Sequence, residues 1–128
     1  MTTEERIEKL ERELAELKKV VRTNCIEIVD ENGNRRADLN ASKGSVMLVL
    51  SDENDMIRAG LRVDERGPGL YMADGIGRPR AWLGEDKDGT RLNLLDENRK
   101  SRAMLGVLKD GPILGLNDAN GETIWQAP

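Results

Sequence analysis

The chain has 128 residues, 34% charged and only 38% apolar, with two Trp, one Tyr and no Phe. That is enough for one ordinary domain, but it offers little apolar surface for a private core, so burial between chains becomes attractive. A net charge of −4 with no basic stripe argues against a nucleic-acid partner, the lack of His excludes His-based triads and His metal sites, and the lone Cys25 excludes an intrachain disulfide framework.

The first segment, "MTTEERIEKLERE", has no apolar stretch of the secretory kind, and no run approaches the roughly 18 apolar residues of a membrane span. The expectation is a cytoplasmic protein without membrane insertion, with assembly into a virion or onto a cell surface left open by another route. Residues 1–24 form the first of two domains. Within them, 3–23 read as a helix about 30 Å long, with Ile7, Leu10, Leu14, Leu17 and Val21 spaced 3, 4, 3, 4. That is a heptad seam, Ile7, Leu14 and Val21 at a, Leu10 and Leu17 at d. In parallel chains the flanking positions bring Arg6 to Glu11 and Glu13 to Lys18 of a neighbour, both pairs opposite in sign. Each exposed pair is worth about 0.5 kcal/mol, so they select a register and supply little stability. The segment Arg6-Ile7-Glu8-Lys9-Leu10-Glu11 resembles a motif of short three-stranded coiled coils, which implies that Arg6 packs its stem over the core and pairs with Glu11 next door. A two-stranded coil or a surface helix remains the alternative.

Residues 25–128 form the second domain, a repeat. Asp30, Asp52, Asp74, Asp96 and Asp118 are each 22 residues apart. After the first four come, at fixed offsets, Arg36, Arg58, Arg80 and Arg102; then Ala37, Ala59, Ala81 and Ala103; then Leu39, Leu61, Leu83 and Leu105. An apolar pair precedes each Asp, from Ile26/Ile28 to Leu114/Leu116. Each repeat carries two alternating segments, the period of strands. Placing Leu50 opposite Ala59, Leu48 opposite Leu61, and Asp52 opposite Ile57 leaves a four-residue loop, 53–56. Placing Leu61 opposite Leu70 and Val63 opposite Pro68 leaves another, 64–67. The Asp and Gly of "DENG", "DGIG", "DANG" and "DKDG" suit such turns. Asp55 and Arg99 stand where other cycles have Gly; Arg tolerates positive φ poorly, so the turn at Arg99 is expected to differ.

A two-strand repeat fits either a β-solenoid or an antiparallel meander. A solenoid stacks Asp over Asp and Arg over Arg at about 4.8 Å, which is unfavourable, whereas a meander separates them, so the meander is favoured. Its apolar face, Leu48, Leu50, Ala59, Leu61, Val63 and their counterparts, must be covered. Three sheets from three chains, apolar sides inward, would do this and agree with the coil. The expected fold class is therefore mainly β with an N-terminal α-helix: a parallel trimeric coiled coil followed by a 22-residue-repeat meander that forms a trimeric β-prism. Trp125 falls in the Ala column and would plug its end.

In this architecture the chain resembles trimeric fibre and stalk proteins, such as phage tail fibres and spikes and bacterial surface stalks. The resemblance implies a non-catalytic homotrimeric structural or assembly module, a rod-like fibre, scaffold or spacer. It carries over no functional residue.

Little chemistry is written into the side chains. Cys25 has no His partner and reads as a flanking thiol. "DENGN" and "DANGE" lack the late Glu of a calcium loop and read as turns, so no metal or other cofactor is expected. The outward Arg36, Arg58, Arg80 and Arg102 would either form a ladder for an anionic glycan or pair with turn carboxylates such as Asp30, Asp64, Asp86 or Asp110; the acidic surroundings favour pairing. Trp82 and Tyr71 share the outward face, and an aromatic beside Arg can hold a sugar or cover a protein partner. No carboxylates gather for general acid–base work, and an enzyme is not expected.

Overall fold

A computed structural model describes residues 1–17 and 23–127. One helix, α1 (Thr3–Leu17), precedes ten strands: β1 (Cys25–Val29), β2 (Arg35–Ser42), β3 (Ser45–Ser51), β4 (Ile57–Asp64), β5 (Gly67–Ala73), β6 (Pro79–Asp86), β7 (Gly89–Leu95), β8 (Ser101–Leu108), β9 (Gly111–Asn117) and β10 (Thr123–Gln126). The strands form one antiparallel sheet in chain order, open at both edges. The meander is thus the arrangement adopted, and the solenoid is not.

Helix α1 begins with a reciprocal cap. The amide of Glu5 donates to Thr2 Oγ1 at 3.2 Å, and the amide of Thr2 donates to Glu5 Oε2 at 2.6 Å. Along the helix, Glu8 pairs with Arg12 and Lys9 with Glu13, each one turn apart.

Register follows the sequence pattern at the strand centres. Leu50 lies opposite Ala59, Leu48 opposite Leu61, Leu61 opposite Leu70 and Val63 opposite Pro68. The turns differ from expectation. Ile57 faces Ser51 instead of Asp52, after a register shift beyond Leu50. On the other side, Asp64 pairs with Gly67, so the strands run further than foreseen. Turns of five (52–56) and two (65–66) residues replace the two of four, with strands of seven and eight residues, and the 22-residue period is unchanged.

Both departures have local causes. In the five-residue turns the first Asp acts as a template. Asp52 Oδ1 accepts the amides of Asn54 (2.9 Å) and Met56 (3.1 Å), and the Asp52 amide donates to the Met56 carbonyl at 2.9 Å. The same three bonds recur at Asp30, Asp74, Asp96 and Asp118. The fourth residue of each turn is left-handed: Gly33, Asp55, Gly77, Arg99 and Gly121. Arg99, at φ 64°, therefore adopts the common turn; the expectation of a different one is overturned, because the Asp96 side chain and its backbone bonds fix the shape. On the other edge, Gly67 has φ 111°, open to glycine, which lets the pairing reach Asp64.

Directly opposite residues share a face, so the pairings sort the side chains into rows. One row reads Ile26, Leu39, Leu48, Leu61, Leu70, Leu83, Leu92, Leu105 and Leu114. Beside it runs a row that alternates Ala37, Ala59, Ala81 and Ala103 with Leu50, Met72, Leu94 and Leu116, ending at Trp125. This face is uncovered: Leu61 is 51% exposed and Leu105 55%. Among the described residues no large side chain is fully buried, and the buried apolar set is Ala37, Val49 and Ala81. A single layer has nothing to pack against.

Candidate functional site

Three groups of side chains define the surfaces. The first is the helix seam. Ile7, Leu10, Leu14 and Leu17 form an exposed stripe on α1, while Lys18 and Val21 lie outside the described residues. Arg6 and Glu11 flank this stripe. Glu13, expected to meet Lys18 of a neighbour, pairs within its own helix with Lys9 at 3.8 Å.

The second group is the Arg column, and it faces its own backbone. Nε donates to a carbonyl on the next strand in all four cycles: Arg36 to Ser51 (3.2 Å), Arg58 to Ala73 (3.2 Å), Arg80 to Leu95 (3.0 Å) and Arg102 to Asn117 (2.8 Å). Nη1 of each lies 3.3–3.8 Å from the Asp six residues earlier: Asp30, Asp52, Asp74 and Asp96. Pairing with turn carboxylates is therefore the arrangement present, but the partners differ from those expected beyond Asp30. Asp64 and Asp86 sit on the two-residue-turn edge, out of reach, and bind Arg62, Arg66 and Arg91 instead. Each Arg ties one five-residue turn to the strand end that enters the next.

The turn carboxylates are held below their ordinary range. For Asp30, Asp96 and Asp118 the largest cause is the amide four residues on. For Asp52 and Asp74 desolvation is the largest single effect and pushes upward; two amides and an Arg together outweigh it. Oδ1 of each Asp is occupied by these amides.

The third group surrounds Trp82. Tyr71 lies directly opposite Trp82, and Asn93 follows on the other side. The adjacent row reads Arg62, Gly69, Gly84, Arg91. A Cβ on Gly84 would meet Trp82 Cζ2 at 2.5 Å, and one on Gly69 would meet Nε1 at 3.1 Å. The indole thus lies down over bare backbone. Tyr71 does the same over Gly60, where a Cβ would strike its ring. Arg91 holds its guanidinium carbon 5.6 Å from the indole centroid. A depression of about 590 Å³ opens here, reaching Arg62, Arg66 and Lys87. Burial holds the Tyr71 hydroxyl above its usual pKa.

Sequence reasoning identified Trp82 and Tyr71 but missed Arg62, Arg91 and the glycine floor. The available signal was glycine at outward positions inside strands, at 60, 69, 84, 106 and 115, the first four of which mark close approach of another group.

No family model matches the sequence, and no curated protein does. Among solved structures, one similar chain is a point mutant of S. aureus TarM in complex with Fondaparinux, alpha-GlcNAc-glycerol and UDP. It is 17% identical, with a TM-score of 0.45, over 91% of this chain and 21% of that one. The present chain thus spans about a fifth of that protein's length, and a likeness at this level fixes neither fold nor activity.

Proposed function

We propose that the chain is a non-catalytic homotrimeric structural module, a rod-like spacer, scaffold or fibre segment in which a parallel coiled coil leads into a three-sided β-prism. The observation that carries this is the uncovered apolar face. The single chain exposes 9807 Å², whereas a compact monomer of 14.3 kDa exposes roughly 6,800 Å². The difference, about 3,000 Å², is the scale of obligate interfaces. Both the leucine row and the seam of Ile7, Leu10, Leu14 and Leu17 are exposed apolar lines among the described residues. Two sheets face to face would also cover the leucines. The Arg6-to-Glu11 spacing favours three.

Trimeric stalks of phage and bacterial surfaces are the class of assembly this reading fits. No helix among the described residues is long and apolar enough to cross a membrane.

Light scattering of the purified chain tests the proposal. The expected mass is three times 14.3 kDa. A monomer that stays soluble and folded would overturn it, and a dimer would replace the prism with a two-layer sandwich.

A further inference from the structure

We propose that the solvent face carries a saccharide-binding site centred on Trp82, in each chain and independent of the trimer. The argument starts from what the strand sequence omits. Gly69 and Gly84 are direct cross-strand partners, bracketed by Arg62 and Arg91 on the outer strands. The missing side chains let the Trp82 indole settle over the backbone: a Cβ would clash with it at Gly84 and crowd it at Gly69. A ring resting on bare backbone, with the Arg91 guanidinium carbon 5.6 Å from its centroid, offers an aromatic surface at the rim of the depression. The C–H face of a pyranose packs on such a surface by dispersion and by polarised C–H groups meeting the π cloud.

Donors and acceptors both line the depression: Arg62, Arg66, Lys87 and Arg91 beside Glu65, Glu85 and Asp86. Arg62 is held by Asp64, and Arg91 by Asp86. Each guanidinium has five N–H groups, so the carboxylate fixes its direction and leaves others for a ligand. These two carboxylates are already partly engaged: Asp64 Oδ1 takes the amide of Arg66, and Asp86 Oδ1 that of Asp88. Asn93 Oδ1 accepts from the Ser101 hydroxyl, and Asn93 also lines the depression. Donors and acceptors together around an aromatic ring call for a ligand with one apolar ring face and many hydroxyls, which both donate and accept, and this is the chemistry of a sugar. The depression of about 590 Å³ lies within the roughly 300–1,000 Å³ of small-molecule sites. This differs from a ladder on the Arg36 column, where each Nε donates to a backbone carbonyl beside the five-residue turns.

The test is titration of the intact chain with two sets of oligosaccharides of equal length, one neutral and one bearing carboxylate or sulfate, followed by calorimetry. Binding by either set should weaken about tenfold or more in Trp82→Ala. It should also weaken in Arg91→Gln, with circular dichroism and mass unchanged in both variants. The neutral set reads hydroxyl recognition and the acidic set adds charge. Two results overturn the proposal: no binding by either set at millimolar concentration, or binding unaffected by both substitutions. Because mass is measured on the same samples, failure here is separable from failure of the trimer.

Discussion

Arg80 Nε donates to the carbonyl of Leu95 at 3.0 Å, across fifteen residues of chain. Its Nη1 also reaches the carboxylate of Asp74 at 3.8 Å. The guanidinium fork therefore joins two turns that share only a sheet edge. Lysine presents its donors from a single nitrogen and does not reproduce the fork. Arg80→Ala should cost about 1 kcal/mol, and Arg80→Lys should recover little of it. Thermal denaturation of the two variants checks this; full rescue by Lys would show that charge alone matters.

Acid should loosen the turns. The five template aspartates have folded pKa values below their unfolded ones. Their contribution is complete above the unfolded value, about 3.9 for Asp, and is lost as pH falls through the lower folded values. The melting temperature should be nearly level from about pH 7 to 5 and fall below about 4. A melting temperature that rises on acidification in that window would contradict the role given to these carboxylates.

Arg99 sits at φ 64° in a turn where three of the other four cycles use Gly. Its Cβ makes that conformation costly. Arg99→Gly should raise stability by about 1 kcal/mol, measured by chemical denaturation. Gly77→Ala in the equivalent position should lower it.

Gly84→Ala should be harmful for a different reason. Its new Cβ would meet not only the movable Trp82 ring but also the Pro68 carbonyl at 2.7 Å, which belongs to the neighbouring backbone. A loss of about 1–3 kcal/mol is expected. Trp82 fluorescence should shift toward that of exposed indole, since the ring must leave its floor.

On the apolar face, Leu83→Asp would place a charge in the leucine row. If that row is the prism core, the variant should lose its oligomeric mass or precipitate. The outward substitution Asn93→Asp should leave the mass unaltered. Sedimentation of both variants separates the faces.

The repeat was legible because alternation and a fixed period leave a mark at every cycle. Strand centres, such as Leu48 against Leu61, followed directly from which residues must share a face. Turn lengths did not, because the register shift beyond Leu50 depends on a carboxylate capturing two amides, and apolar alternation does not record that. The Arg column was seen, but its partners were misjudged beyond Arg36. Sequence proximity does not tell which edge of the sheet an Asp occupies. Arg62 and Arg91 were missed because they lack the 22-residue regularity that made the other arginines visible.

The open edges at β1 and β10 leave the sheet without a built-in end. Every Arg fork reaches only one strand ahead, and every five-residue turn is closed by its own Asp. No bond in the pattern knows how many cycles there are. Length is then a matter of counting: each duplicated 22-residue unit adds two strand spacings, about 9.5 Å, and disturbs nothing already in place. Such a chain measures distance in whole steps, and its reach can be reset by copying a unit.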